Sequence, residues 1–132
     1  MREVLDKLYN YTPDGYCGDE DNGQTSAWYV FSSLGFYPVT PGTHEYVFGS
    51  PLFNKVTLNF ENGKKLVIEA PGNNRENIYV KSIKLNGKVM DKNFITHINL
   101  TKGGKLVFKM GDKPEKKRGT DEVDYPYSMS RN

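Results

Sequence analysis

The sequence predicts an α+β chain: two N-terminal helices followed by a mainly antiparallel β-sandwich. Two observations carry that prediction. Up to Leu34 the apolar residues recur at helical spacing, and after Pro51 the spacing changes to two. A turn signal about every ten residues in the second half favours short antiparallel strands over a parallel sheet.

Val4, Leu5, Leu8 and Tyr9 mark the first helix; Ala27, Trp28, Phe31 and Leu34, with Val30 alongside, mark the second. Thr12-Pro13-Asp14-Gly15 separates them as a turn, and Gly35 stands where a C-terminal cap belongs, with Pro38 and Pro41 beyond it. The second helix is therefore expected from Asn22 or Gly23 to Leu34. Its Trp28, Tyr29, Val30 and Phe31 are bulky on every side, so it calls for burial nearly all round.

Lys55–Phe60 and Lys65–Glu69 alternate about the turn Glu61-Asn62-Gly63-Lys64 and read as a hairpin. Ile78–Leu85 reads as a strand running into Asn86-Gly87, a strong hairpin turn. Phe94–Leu100 and Lys105–Met110 read as two more strands. From Asp112 onward the chain is polar and irregular, and a poorly ordered tail is expected. The organisation is thus 1–37 helical, 38–111 sandwich and 112–132 flexible tail. Helices that need burial on several sides, joined to a small sandwich, read as the end of a helical domain, so the chain is expected to be a fragment.

Composition narrows the function classes. The chain has 132 residues, 36% hydrophobic and 13% aromatic, which suits one globular unit with a modest core. No apolar run approaches the roughly 20 residues of a membrane helix, and Met1-Arg2-Glu3-Val4-Leu5-Asp6 carries acids where a secretory signal has its apolar core. Cys17 is the single cysteine, so stability comes from packing rather than an internal disulfide. The net charge of +2 hides an acidic start and a basic remainder, whose lysines are spaced singly along strands as on solvated faces. That spacing argues against a nucleic-acid surface. The sequons Asn10-Tyr11-Thr12 and Asn99-Leu100-Thr101 are short patterns of the kind that recur by chance.

The chemistry concentrates in Gly18-Asp19-Glu20-Asp21-Asn22-Gly23-Gln24-Thr25-Ser26, immediately before the second helix. Three consecutive carboxylates repel one another and need solvent, a helix N-terminus, a cation or a proton to handle. Capping by Asp21 or Asn22 is the plain structural reading, but it uses one acid of the three. A calcium loop of the EF-hand kind fails in register: with Gly23 as the turn glycine, the first position falls on Gly18 and the closing acid on Tyr29. A general base remains open: Asp19 and Asp21, two residues apart in an extended approach, share a side and can hold one water between them. Glu20 points the other way and reads as a solvated acid, and Gln24 as a first-turn hydrogen-bonder. Trp28 reads as core rather than as a sugar platform, His97 as a satisfied structural histidine, and Cys17 as no nucleophile, since no basic residue lies near it.

Pro13–Phe31, followed in order by Leu34-Gly35-Phe36-Tyr37-Pro38-Val39, Pro41-Gly42 and Gly49-Ser50-Pro51-Leu52-Phe53, resembles the C-terminal part of the calcium-dependent exo-α-mannosidases of glycoside hydrolase family 92. Asn86-Gly87-Lys88, His97 and Gly103-Gly104 continue the likeness, which spans nearly the whole chain before the tail. The resemblance implies that the two helices end an (α/α) barrel and that the sandwich is appended to it. It implies cleavage of terminal α-linked mannose with inversion, with Asp21 as principal general base and Asp19 as its partner. The general acid and the calcium ligands would lie earlier in the family's chain, outside these residues. Thr25 stands where the family usually has Met, read as a change in neighbour packing. The implied partners are the rest of the mannosidase chain and α-mannoside glycans, with self-association of the isolated chain, no membrane span, and a periplasmic or extracellular location. By itself the chain is expected to be inactive.

The competing reading is a non-catalytic sandwich that supports the barrel or binds carbohydrate. It would require Tyr46, Phe48, Phe60 and Tyr79 to line one exposed face, and their spacing does not put them there.

Overall fold

A computed structural model of the chain describes residues 1–16, 18–20 and 22–131. Helix α1 (Arg2–Leu8) buries Arg2 and Leu5. The guanidinium of Arg2 donates from Nη1 to the carbonyl of Pro51 at 2.7 Å, pinning this short helix to the sandwich. Helix α2 (Gln24–Leu34) starts after Gly23 and runs to the predicted end. Gly35 closes it in the left-handed conformation (φ 95°), its N–H reaching the carbonyls of Phe31 and Ser32. Burial is concentrated in the last turn, at Ser32, Ser33 and Leu34, whereas Val30 is 55% exposed.

Gly35 leads directly into β1 (Phe36–Tyr37), which pairs with β2 (Glu45–Phe48). A Cβ at Gly35 would come within 3.1 Å of Pro51 and 3.2 Å of Phe108, so the junction needs glycine for space as well as for φ. Next come the hairpin of β3 (Lys55–Asn59) with β4 (Lys65–Glu69) and that of β5 (Tyr79–Leu85) with β6 (Lys88–Met90). Asn86 (φ 51°) and Gly87 (φ 82°) form the second turn with both central residues left-handed, as a tight hairpin requires. Strand β7 (Phe94–Thr96) joins β2 to complete a three-stranded sheet of order β1-β2-β7.

Phe94–Leu100 does not form the single strand that its alternation suggested. The strand stops at Thr96, and His97–Thr101 forms the short helix α3. Thr96 Oγ1 accepts from the Asn99 N–H, and Thr101 donates to the His97 carbonyl, so both hydroxyls serve a helical turn. Leu100 is then buried while Ile98 is 66% exposed.

Strand β8 (Gly104–Gly111) lies between the hairpins and completes a sheet of order β3-β4-β8-β5-β6. It is antiparallel to β5 but parallel to β4, so the sheets are mainly rather than wholly antiparallel. The parallel pair arises where α3 delivers the chain: Asn62 Nδ2 donates to the Thr101 carbonyl at 3.1 Å, which brings the start of β8 beside the start of β4.

The core fills the space between the sheets. Leu66, Ile68, Ile83, Leu106 and Phe108 face inward from the five-stranded sheet, meeting Phe36, Ile95, Leu34 and Leu100 from the other side. Each fully buried side chain of this kind contributes roughly 1.5–3 kcal/mol. Phe48 meets Phe108 edge to face at 5.8 Å. On the outer face Glu69 accepts from Lys105 at 2.8 Å and lies 3.5 Å from Lys55, linking three strands.

Beyond residue 112 the described backbone is irregular apart from two short 3-10 turns. It is nonetheless tied to the sandwich. Arg118 donates to the carbonyls of Met90 and Lys92, Asn93 Nδ2 donates to the Gly119 carbonyl, and the Tyr127 N–H donates to Glu45. Asp124 is buried and accepts through its carbonyl from the Asn93 N–H.

Candidate functional site

The acidic segment lies at the N-terminal end of α2, at the far end of the helix from the sandwich. Its approach is shaped by Gly15, which is buried and receives the Asn10 N–H at 3.1 Å. A Cβ there would collide with the carbonyls of Asn10 and Thr12. Asn10 Oδ1 accepts from the Thr12 N–H at 2.9 Å and from the Thr12 hydroxyl, closing a turn just ahead of the predicted Thr12–Gly15 turn.

The cap of α2 is not the one expected from the sequence. Gly23 occupies the N-cap position with φ 79° and has no side chain to offer. Glu20 supplies the acceptor instead. Its carboxylate takes the Ser26 N–H at 3.0 Å and the Ser26 hydroxyl at 2.7 Å, so it satisfies a first-turn donor that has no partner inside the helix. These hydrogen bonds, that of the Ser26 side chain foremost, hold the Glu20 carboxyl below its usual range. The reading of Glu20 as a solvated acid misses this contact. A capping box places the acid three residues after the cap, whereas Glu20 stands six residues before its donor, and that spacing gives no signal in the sequence.

Asp19 is exposed, and its carbonyl accepts from Thr25 Oγ1 at 3.2 Å. Thr25 therefore does more than alter packing, since a Met at this position has no hydroxyl to make the tie. Asp21, the principal base expected from the resemblance, and Cys17 lie outside the described residues, and so does the pairing of Asp19 with Asp21.

Beside the loop stands an aromatic cluster around Tyr9. Its ring stacks on Trp28 at 5.5 Å, approaches Tyr29 at 5.1 Å and meets Tyr16 edge-on at 6.0 Å. The Tyr9 hydroxyl donates to the Thr25 carbonyl, and Tyr16 OH lies 3.2 Å from Ser26 Oγ, so the cluster and the acidic loop are one connected unit. An open cavity of about 540 Å³ is bounded by Tyr9, Tyr11, Tyr16 and Tyr29. Trp28 is half-buried, with one face covered by Tyr9.

Among the described residues no group of three or more His, Cys, Asp or Glu side chains comes together to hold a metal ion. Calcium takes six to eight oxygen ligands. The described acids of this loop do not fit that need, because the Glu20 carboxylate is taken up by Ser26. His97 is exposed, with Nδ1 3.0 Å from the Tyr46 hydroxyl. Of the aromatics proposed for a carbohydrate-binding face, Tyr46, Phe48 and Phe60 pack on the core, and Tyr79 is 38% exposed. They do not share an outer surface.

Comparison with known proteins gives this geometry a family. The model of the glycosyl hydrolase family 92 catalytic domain matches residues 1–112. An inverting mannosidase of that family from Bacteroides thetaiotaomicron has a solved structure to which this chain is 53% identical with a TM-score of 0.90, covering 98% of this chain and 18% of that one. A family 92 α-mannosidase from Bacteroides thetaiotaomicron, solved also with mannoimidazole, is 40% identical with a TM-score of 0.91, over 97% of this chain and 17% of that one. A protein of Arthroderma benhamiae described as an uncharacterized secreted glycosidase is 32% identical over 124 residues, 92% of this chain and 16% of its own length. The chain thus spans less than a fifth of these relatives, over the β-rich part of their fold together with the two helices that precede it. With the family's catalytic-domain model matched from the first residue through the end of the sandwich, the chain belongs to glycosyl hydrolase family 92.

Proposed function

We propose that this chain forms the C-terminal part of an inverting exo-α-mannosidase that hydrolyses terminal α-linked mannose, and that it supplies the general base of that reaction. The observation that carries the reading is the 53% identity to an inverting mannosidase over 98% of the chain. Inversion needs an acid that protonates the leaving oxygen and, roughly 6.5–9.5 Å away, a carboxylate that activates a water on the opposite face of the sugar. In this reading Asp21 is the base and Asp19 its partner. Together they would orient the attacking water.

The general acid comes from the rest of the mannosidase chain, so the 132 residues alone release no mannose. Calcium in the whole enzyme is held by residues other than those described here, and no step is assigned to it. The secreted relative supports a periplasmic or extracellular location for the whole protein. No helix among the described residues is long and apolar enough to cross a membrane.

The test is mannose release from α-mannosides by the full-length enzyme and its Asp21→Asn and Asp19→Asn forms. Loss of a positioned general base lowers turnover on the order of 10²–10⁴-fold. We expect that loss in Asp21→Asn with folding intact, and a smaller one in Asp19→Asn. Near-normal turnover in Asp21→Asn would reject the assignment.

A further inference from the structure

We propose that Glu20 is a positioning residue for the base: its carboxylate, held by Ser26, fixes the segment carrying Asp19 against the first turn of α2. The inference rests on the base reading of Asp19 and Asp21 given above.

The segment needs such a tie. It lies between Gly18 (φ 116°) and Gly23 (φ 79°), with Asn22 also left-handed (φ 55°), so its backbone runs between residues that offer little local restraint. The helix that follows has no N-cap side chain of its own. Glu20 answers both needs. One carboxylate oxygen takes the Ser26 hydroxyl and the other the Ser26 N–H, at 2.7 and 3.0 Å. One residue earlier, the Asp19 carbonyl is held by Thr25 at 3.2 Å. Two successive residues of the acidic run are thereby fastened to two successive residues of the helix, next to Asp21 in the sequence. Both Glu20 oxygens accept from Ser26, so the carboxylate is engaged in holding the loop to the helix. Misplacing a catalytic group by 1 Å costs on the order of 100-fold in rate, which is the loss a missing tie can produce.

The test compares Glu20→Ala, Glu20→Gln and Ser26→Ala in the full-length enzyme, with Asp21→Asn as control and the melting temperature of each variant recorded. We expect Glu20→Ala to lose on the order of 10- to 100-fold in kcat with KM unchanged. Glu20→Gln, whose side-chain carbonyl still accepts from Ser26, should recover most of that loss and keep the acid limb of the pH profile. Glu20→Gln as inactive as Glu20→Ala, with the acid limb gone, would make Glu20 a proton-transfer group and overturn the proposal. Normal kcat in Glu20→Ala beside an inactive Asp21→Asn would overturn the positioning role alone; near-normal Asp21→Asn would reject the base reading beneath it. If Glu20→Ala does not fold, Ser26→Ala carries the test together with Glu20→Asp, which keeps the charge but draws the carboxylate a methylene short of both Ser26 donors: a fall in kcat at unchanged KM supports the proposal, and normal kcat in both overturns it.

Discussion

At the scale of single residues, the pH response of the loop follows from Glu20. Its carboxyl is held below the ordinary 4.5 by the Ser26 hydrogen bonds. A depressed folded-state value means that the tie stabilises the folded loop above the unfolded-state value, and that this contribution is lost as pH falls through the folded-state value. We therefore expect the Ser26 amide resonance to be constant from neutral pH down to the mid-fours and to shift below that, together with the Glu20 carboxyl signal. A Ser26 resonance that stays put while the Glu20 carboxyl signal titrates would mean that the hydrogen bond is not formed in solution. Gly35 makes a different prediction. Gly35→Ala forces a side chain into the left-handed region and against Pro51 and Phe108, at a cost of about 1–3 kcal/mol. An unchanged urea midpoint would contradict the junction described above. The role of Gly35 was legible in the sequence because a C-terminal cap has a local signature. That of Glu20 was not, because its partner lies six residues on, where no capping pattern looks for it.

At the scale of elements, the sandwich is carried by β8. Its Leu106 and Phe108 are fully buried and meet side chains of both sheets. Phe108→Ala is expected to cost about 3–5 kcal/mol, seen as a lower urea midpoint; a loss under 1 kcal/mol would show that the core re-forms without it. Both hairpins were legible, since turn chemistry and alternation agree over Lys55–Glu69 and Ile78–Met90. The exit from β7 was not. Phe94–Leu100 satisfies a two-residue period, and only the placement of Thr96 and Thr101 as side-chain partners of a turn tips it into helix. The parallel pairing of β4 with β8 was equally hidden, because it depends on where α3 sets down the chain rather than on any property of Leu66–Glu69.

At the scale of the whole molecule, the two ends differ in how completely they are covered. The sandwich holds the buried core, while Val39, Phe53, Val89 and Ile98 stay exposed on its surface; the helical end leaves Leu8 at 49%, Tyr16 at 46% and Val30 at 55% exposed. Exposed apolar side chains favour association. The 132-residue chain is expected to self-associate through its helical end. Leu8→Lys with Val30→Lys should return it to monomer in sedimentation while leaving the sandwich's far-UV spectrum unchanged; association that persists would place the contact elsewhere. The bulk of Trp28-Tyr29-Val30-Phe31 called for burial nearly all round, but within this chain burial is confined to the last turn of α2 and Val30 faces solvent.

The direct passage from α2 through Gly35 into Phe36 makes the helix a lever with its fulcrum in the hydrophobic core. Eleven residues at 1.5 Å each set the acidic loop roughly 16 Å from that fulcrum. A tilt of about 5° at Gly35 then displaces the loop by about 1.4 Å. Side chains such as Pro51 and Phe108, far from the loop, thus help to set where the loop stands, and on the base reading proposed above wear in the sandwich would be felt at the other end of the helix.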